Sequence, residues 1–249
     1  MKAVILAAGY ATRLYPLTKN VPKSLLCVGG RTIIDFIIEK IEKVEQLDEI
    51  FVVANHCFYR HFVNWAANCK SNKKIKITDD LTTSNENRLG ALADLALAII
   101  KEKINTDILV MAGDNLFDFE LTDMVKFYDM VKSDVITAHR LNDIAALQRT
   151  GVAEIDGSCR VISFEEKPSY PKSSLAVPPF YIFTPNTAAN LVGRYLSEGG
   201  NPDAPGNFIP WLIKQQPVYA FMFEGSRYDI GTIESYNAVK SLFERQKAQ

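Results

Sequence analysis

The sequence has no surplus of positive charge, no paired cysteines and no long hydrophobic segment. Its 28 lysines and arginines are balanced by 29 aspartates and glutamates, so nothing in the composition favours a nucleic acid or an acidic membrane as partner. The four cysteines lack C-x-x-C spacing and fit free thiols of a reducing compartment. No apolar run approaches the roughly 20 residues of a membrane span, and we expect no cleaved leader. The sequence therefore predicts a cytoplasmic protein.

Two common nucleotide-binding motifs are also missing. No Gly-Lys-Ser/Thr closes a Walker loop, and the dinucleotide fingerprint G-x-G-x-x-G is absent. The start of the chain nevertheless has the layout of a phosphate-binding loop, because the apolar run 3–8 breaks at Gly9 and exposes backbone N–H groups. Arg13 and Lys23 add a planar guanidinium and a mobile point charge beside this loop. These residues predict an anion site.

The hydrophobic pattern alternates between strands and helices. Continuous apolar segments predict strands at residues 2–7, 49–54, 75–78, 107–112, 135–139, 152–155, 161–164, 180–183 and 218–223. Apolar positions at turn spacing predict helices at residues 32–44, 89–100, 121–131, 207–214 and 232–245. Apolar strands separated by amphipathic helices predict an α/β fold with a mixed, mostly parallel central sheet covered on both faces.

The most specific motif opens the chain and reads MKAVILAAGYATRLYPLTKNVPKSLL. It resembles the signature of the sugar-phosphate nucleotidylyltransferases, L-A-G/A-G-x-G-T-R-L-x-P-L-T-x-x-x-P-K-x-L-L. The two agree at nearly every fixed position from Leu6 to Leu26, but Ala11 stands where that family has glycine. The resemblance implies a three-layer, Rossmann-like nucleotidyltransferase fold. It also implies transfer of a nucleotidyl group from a nucleoside triphosphate, with dTTP or UTP favoured, to a sugar 1-phosphate.

The resemblance also implies roles for individual residues in a single domain of residues 1–249. In the mainly nucleotide-binding half, 1–150, it implies nucleotide contacts from Ala8, Gly9, Thr12, Arg13, Lys23, Asn85, Leu89 and Gly90. In the mainly sugar-phosphate-binding half, 151–249, it implies substrate contacts from Gly151, Glu166, Lys167 and Tyr181. The residues expected to be catalytic are Arg13, Lys23 and Asp114.

Two aspartates directly follow apolar segments in the motifs G-D-N and Y-D-I-G-T. They are Asp114 and Asp229, and carboxylates at the carboxyl ends of strands suit a hard cation such as Mg²⁺. A turn or a helix N-cap is the common structural use of aspartate at such places. Thr232 is the better cap for the last helix, which leaves Asp229 without that structural role. The resemblance implies that both carboxylates bind Mg²⁺.

Other functions remain open at the level of sequence. A glycosyltransferase would carry Asp-x-Asp, whereas this chain has Gly-Asp-Asn. A cytidylyltransferase acting on phosphocholine, another phosphorylated small alcohol or a phosphonate would share the N-terminal loop, but the motif E-E-K-P favours a sugar. A catalytically inactive regulatory module would have lost one of the four charged residues Arg13, Lys23, Asp114 or Asp229, and all four are present. The sequence leaves a homo-oligomer open.

Two smaller features complete the analysis. His56, Cys57, His61 and Cys69 can all bind zinc, but their spacing matches no paired zinc motif. With His56 and Cys57 expected on a strand, their side chains would point apart, so packing roles are favoured. Relatives have T-G-I-Y or similar text where this chain has P-P-F-Y at 178–181, and proline offers no N–H donor. We therefore expect a preferred acceptor other than glucose 1-phosphate.

Overall fold

The structure is a computed structural model that describes residues 1–247. Its strands are β1 (Lys2–Leu6), β2 (Cys27–Val28), β3 (Arg31–Thr32), β4 (Glu49–Ala54), β5 (Lys74–Asp79), β6 (Ile108–Ala112), β7 (Asn115–Phe117), β8 (Asp134–Arg140), β9 (Gly151–Ile155), β10 (Val161–Glu166), β11 (Leu175–Val177), β12 (Phe180–Phe183), β13 (Val218–Met222) and β14 (Arg227–Asp229). Its α-helices are α1 (Ile33–Glu42), α2 (His56–Asn68), α3 (Ala91–Lys101), α4 (Leu121–Val131), α5 (Ile144–Leu147), α6 (Val192–Ser197), α7 (Ile209–Leu212) and α8 (Ile233–Lys247). Single 3₁₀ turns occupy Thr12–Leu14, Lys23–Leu25, Asn85–Asn87 and Pro205–Asn207, and a π turn occupies Thr187–Leu191.

The central sheet is mixed. Its strand order is β10-β9-β11-β8-β12-β6-β1-β4-β5, and β13 pairs in parallel with β8. The neighbours β6, β1, β4 and β5 run parallel, and antiparallel pairing begins at β12. Because parallel strands end at the same edge, the loops after β1, β4 and β6 meet there. The predicted α/β class and mixed sheet are confirmed.

Helices cover both faces of this sheet because successive side chains of each strand point to opposite sides. In β1, Val4 belongs to a core that includes residues of α3, α6 and α7. Ala3 and Ile5 belong to a second core that includes residues of α1, α2 and α4. All three side chains are fully buried. The result is three layers, helix on sheet on helix.

A third apolar cluster joins the end of the chain to its beginning. It includes Leu14 of the N-terminal loop, Leu116 of β7 and Tyr236 of α8. The Tyr236 hydroxyl also donates a hydrogen bond to the backbone oxygen of Cys27 at 2.7 Å. This packing holds the segment around Asp229 beside the N-terminal loop.

The structure corrects the sequence-based prediction for His56 and Cys57. His56 and Cys57 do not lie on a strand, because they open α2. The Asn55 side chain caps this helix by accepting a hydrogen bond from Phe58 N at 3.0 Å. Only Phe58 and Phe62 of α2 are buried, so the apolar periodicity that predicts a helix is weak here. No group of three or more metal-binding side chains is assembled in residues 1–247, and all four cysteines are free thiols.

Other predicted elements differ from the structure only at their ends. The predicted strand 2–7 ends at Leu6, and the predicted helix 89–100 begins at Ala91, after a glycine with φ of 97°. None of the helices found between residues 1 and 247 combines the length and the apolar character that a bilayer crossing requires.

Candidate active site

The N-terminal loop begins where β1 ends and is held from below. Ala7 N donates to Val53 O, and the Asn55 side chain donates to Ala8 O, both at 2.9 Å. A Cβ on Gly9 would meet no atom within 4 Å, so this part of the loop faces open space. Ala11 has φ of 49°, a left-handed conformation that costs a non-glycine residue about 1–2 kcal/mol. This backbone conformation explains why the family signature has glycine at this position. Ala11 adopts the same left-handed conformation at a cost in free energy.

Two connected lobes open beside this loop at the carboxyl ends of the parallel strands. The lobe of about 340 Å³, here called the nucleotide lobe, is lined by several residues of the predicted set, Ala8, Gly9, Arg13, Lys23, Gly90 and Asp114. The lobe of about 200 Å³, here called the acceptor lobe, is lined by Gly151, Glu166, Lys167, Tyr181 and Asp229 of that set. Arg13, Lys23, Asp114 and Tyr181 line both lobes.

Three residues predicted to contact nucleotide lie outside the two lobes. Thr12 and Asn85 line a separate hollow on the other side of the N-terminal loop, together with Tyr10, Lys19 and His61. Leu89 is partly exposed and lines neither lobe. Of the three residues predicted to contact nucleotide in the segment 85–90, Gly90 alone lines the nucleotide lobe.

Lys23 and Asp114 form the charged centre that the two lobes share. Lys23 Nζ lies 2.6 Å from Asp114 Oδ2, and Asn115 Nδ2 donates to Asp114 Oδ1 at 2.6 Å. Burial works to raise the pKa of Asp114, but Lys23 and Asn115 hold that pKa below its usual value. A Cβ on Gly113 would lie only 2.8 Å from Ser24 Oγ, so glycine permits this close approach of the two loops. Asp114 is therefore an ionised carboxylate and not a helix cap.

Asp229 reaches Asp114 through a small two-stranded ribbon. In the pairing of β14 with β7, Asp229 lies opposite Asn115, and Ile230 N donates to Asp114 O at 3.4 Å. Arg227 Nε donates to Asn115 Oδ1 at 2.6 Å, and Arg227 Nη2 lies 3.6 Å from Asp229 Oδ2. Thr232 caps α8 by accepting from Ser235 N at 3.2 Å, as predicted. The Asp229 carboxylate thus has one loose ion pair and more than half of its surface exposed.

These two carboxylates fit a hard divalent cation. Mg²⁺ is commonly bound by one or two carboxylates and completes its coordination with water and substrate phosphate oxygens. Asp114 and Asp229 supply such a pair at the end of β6 and on β14. A third acidic or imidazole ligand does not join them within residues 1–247. The arrangement suits a cation that arrives with a phosphorylated substrate.

The acceptor lobe is built around the turn that follows β10. Lys167 has φ of 50°, and its N–H donates to Thr150 O at 3.1 Å. This turn leaves Lys167 Nζ largely exposed, 3.7 Å from Glu166 Oε1. Burial raises the pKa of Glu166, and Lys167 opposes that rise. A Cβ on Gly151 would overlap the Phe164 ring and lie 3.2 Å from Glu166 Oε2, so Gly151 provides space chiefly for the ring that packs beside this carboxyl group.

The loop before α7 packs across the nucleotide lobe. The carbonyls of Pro202 and Asp203 accept hydrogen bonds from Leu92 N at 2.9 Å and Ala91 N at 3.1 Å. Gly90, with φ of 97°, allows this contact because a Cβ there would lie 2.5 Å from Pro202 O. Arg88 and Asp203 close the contact from outside at 3.2 Å.

Gly90→Ala is expected to lower the free energy of unfolding by about 2 kcal/mol or more, because the alanine combines an unfavourable φ with overlap against the Pro202 carbonyl. Urea unfolding followed by circular dichroism measures the change. Gly157→Ala is the matched control, since a Cβ on Gly157 meets nothing within 4 Å. Equal effects of the two substitutions would contradict the packing of this loop on Gly90.

Sequence analysis missed several residues that line the lobes. Four of them are Asp94 of α3, Arg149, Pro205 and Arg227. Arg227 precedes Asp229 by two positions and so lies on the same side of β14, which is a signal that strand periodicity could have supplied. Asp94 stands in the apolar segment ALADLALAII, and a lone carboxyl there is the second usable signal. Nothing local in the sequence points to Arg149 or Pro205.

Comparison with known proteins identifies the family of this chain. The family model described as nucleotidyl transferase matches residues 2–246. The chain is 35% identical over 232 residues to the bifunctional protein GlmU of Methanococcus aeolicus. This similarity covers 93% of the chain and 51% of GlmU, so the chain spans about half the length of this curated relative.

Solved structures share the fold over almost the whole chain. A UDP-glucose pyrophosphorylase crystallised with UDP-glucose has a TM-score of 0.84 at 20% identity, covering 98% of both chains. A Bacillus anthracis protein assigned as a glucose-1-phosphate thymidylyltransferase, crystallised with a sucrose, has a TM-score of 0.79 at 24% identity, covering 98% of this chain and 95% of that one. At such identities the likeness establishes the fold alone.

Proposed function

This chain belongs to the nucleotidyl transferase family, and on that premise we propose that it joins a nucleoside triphosphate, dTTP or UTP, to a sugar 1-phosphate. The products are a nucleoside diphosphate sugar and pyrophosphate. The observation that carries the proposal is the ion pair of Lys23 and Asp114, which lies where the nucleotide lobe and the acceptor lobe meet. Transfer between two phosphorylated substrates needs such a shared centre.

The proposed reaction is an in-line displacement at the α-phosphorus. An oxygen of the acceptor phosphate attacks, the bond from the α-phosphorus to the bridging oxygen breaks, and pyrophosphate leaves with that electron pair. The acceptor phosphate is an anion at neutral pH and needs no strong base, so positioning and charge neutralisation provide most of the rate.

Each charged residue has a role in this scheme. The Gly9 loop and Arg13 bind the triphosphate, Lys23 contacts the α-phosphate, and Lys167 binds the acceptor phosphate. Asp114 and Asp229 would hold Mg²⁺, which when bound neutralises triphosphate charge and orients the α-phosphate. The Lys23 ammonium holds the Asp114 carboxylate in place before substrates arrive. Glu166, Gly151 and Tyr181 line the space for the sugar.

The residues of the site define the identity of the acceptor less closely than that of the nucleotide. Pro179 lines both lobes, and its carbonyl is already used by Ala112 N at 3.2 Å. Arg149 and Arg227 add cations to the acceptor lobe beside Lys167. These features support a phosphorylated acceptor other than plain glucose 1-phosphate. A cytidylyltransferase that acts on phosphocholine, another phosphorylated small alcohol or a phosphonate is the second candidate.

We expect purified protein to release pyrophosphate from dTTP or UTP only when a sugar 1-phosphate and a divalent cation are both present. The measurement is a coupled pyrophosphate assay of five nucleotides against glucose, galactose, mannose and glucosamine 1-phosphates, phosphocholine and 2-aminoethylphosphonate. Each pair of substrates is assayed once with Mg²⁺ and once with EDTA. Activity with CTP and phosphocholine alone would favour the second candidate. Folded protein that is silent across the panel would exclude both.

A further inference from the structure

Arg227 is the least exposed of the three cations that line the acceptor lobe and not the nucleotide lobe. Its side chain is 13% exposed, compared with 57% for Lys167, and Arg149 is also exposed. A charged contact that is partly buried is screened by salt much less than a contact on the surface. Arg227 is therefore better placed than the other two cations to bind an anion tightly.

One edge of the Arg227 guanidinium is fixed beside the charged centre that the two lobes share. Arg227 Nε donates to Asn115 Oδ1 at 2.6 Å, and Asn115 Nδ2 donates in turn to Asp114 Oδ1 at 2.6 Å. The pairing of β14 with β7 keeps these side chains together, because Asp229 lies opposite Asn115 in the ribbon. The guanidinium is thus oriented before any substrate binds.

The other two guanidinium nitrogens, Nη1 and Nη2, accept no such restraint. Between residues 1 and 247 neither donates a hydrogen bond, and Nη2 lies 3.6 Å from Asp229 Oδ2, which is too far for one. Neither is among the fully buried polar atoms that lack a partner, so both are open to solvent. Because Arg227 lines the acceptor lobe, its planar fork of N–H donors is available to a ligand there.

The charges around the shared centre indicate which anion this fork meets. Lys23 pairs closely with Asp114 at 2.6 Å, whereas Asp229 is the only carboxylate paired with Arg227 in the part of the chain that the structure describes. The proposed function assigns Asp229 to a divalent cation, and a largely buried guanidinium then needs another anion. The acceptor phosphate has to reach this centre to attack the α-phosphorus. Two of its oxygens match the two parallel N–H groups of a guanidinium.

We propose that Arg227 Nη1 and Nη2 donate to the two acceptor-phosphate oxygens that do not attack, which makes Arg227 a phosphate ligand in addition to Lys167. A fork that holds two oxygens also fixes the direction of the third, so Arg227 aims the attacking oxygen at the α-phosphorus. The proposal rests on the proposed function, because it assumes that the acceptor lobe binds a phosphate monoester. It applies equally to a sugar 1-phosphate and to phosphocholine.

The test is calorimetric titration of the full chain filled with Mg²⁺ and the α,β-methylene analogue of UTP, or of CTP for phosphocholine. These analogues bind but cannot transfer their nucleotidyl group. The titrants are glucose 1-phosphate, glucosamine 1-phosphate and phosphocholine, and the tightest of the three is used for the variants. Arg227→Met should bind it about 10- to 100-fold more weakly than wild type, because the charge-assisted hydrogen bonds to phosphate are lost. Affinity for the nucleotide analogue should stay within about 2-fold, since Arg227 does not line the nucleotide lobe.

Two further variants sharpen this test. Arg227→Lys keeps the positive charge but has no planar fork, so it should recover only part of the lost affinity. It also provides the measurement if Arg227→Met does not fold. Arg60→Met is the matched control and should bind the phosphate ester as wild type does, because Arg60 is an exposed residue of α2 that lines neither lobe.

Wild-type affinity for the phosphate ester in Arg227→Met or in Arg227→Lys would overturn the proposal. If Arg227→Met kept that affinity and only needed more Mg²⁺ for half-maximal turnover, Arg227 would act through Asn115 on Asp114 alone. Equal weakening of the ester and of the nucleotide analogue would show a structural role and would also overturn it. Wild type that binds the ester through Arg227 but forms no pyrophosphate from UTP or CTP would overturn the proposed reaction and leave the phosphate contact standing. Wild type that binds the nucleotide analogue but none of the three esters would overturn both.

Discussion

Asp114→Asn is expected to lower kcat by about 100-fold or more while leaving the fold intact. Asparagine has nearly the shape of aspartate but lacks its charge, so it removes the anionic ligand of a divalent cation. It also leaves Lys23 Nζ without its partner at 2.6 Å. The buried ammonium then lacks a counter-charge at the point where negative charge must be positioned. Both consequences act on the chemical step rather than on sugar recognition.

The measurement is kcat with saturating substrates over a range of Mg²⁺ concentrations. Asp229→Asn should show a similar loss that high Mg²⁺ relieves in part, because Asp229 is more exposed and held only by Arg227 at 3.6 Å. Asp123→Asn is the matched control, since Asp123 is an exposed residue of α4 paired with Lys126. Turnover within a few-fold of wild type in both variants would show that these carboxylates are not metal ligands.

The fold was largely predictable because the burial of strands and helices determines the pattern of apolar residues in the sequence. The strand Glu49–Ala54 is buried along almost its whole length, as expected for a strand covered by helices on both faces. Helix α2 was missed because its contact with the core is limited to two phenylalanines. Its start depends on the Asn55 cap, which also binds Ala8 O of the N-terminal loop. One capping residue is a weak local signal in the sequence, and most of the stability of such a helix comes from its tertiary packing.

The site was less predictable than the fold, because its geometry depends on long-range contacts. Lys23 and Asp114 are 91 positions apart, and no local pattern predicts their ion pair. The family membership implied by the N-terminal motif is confirmed by the match over residues 2–246. The individual residue roles stay predictions. The spacing of Arg227 from Asp229 is a usable local signal, but its hydrogen bond to Asn115 forms only through the ribbon of β7 and β14 and could not be predicted.

Lys167→Ala is expected to raise KM for the acceptor phosphate by about 10- to 100-fold, with much smaller changes in KM for the nucleotide. The reason is that a charge-assisted hydrogen bond to phosphate contributes about 1.5–3 kcal/mol, and Lys167 lines the acceptor lobe alone. Lys172→Ala provides the control, because Lys172 is an exposed lysine of the same segment that lines neither lobe.

Arg13→Ala should behave differently because Arg13 lines both lobes. A Cβ on Gly231 would lie 3.9 Å from Arg13 Nη2 and 3.7 Å from Asp229 Oδ2, so this guanidinium and the proposed metal carboxylate lie beside the same glycine. Loss of the guanidinium should both lower kcat and raise KM for the nucleotide. The reason is that a contact made at the transferred phosphate also stabilises the transition state. Initial rates over a grid of both substrates separate these effects. If Lys167→Ala and Arg13→Ala raise KM for both substrates to the same degree, the division into a nucleotide lobe and an acceptor lobe is wrong. A single shared anion site would then bind both phosphates.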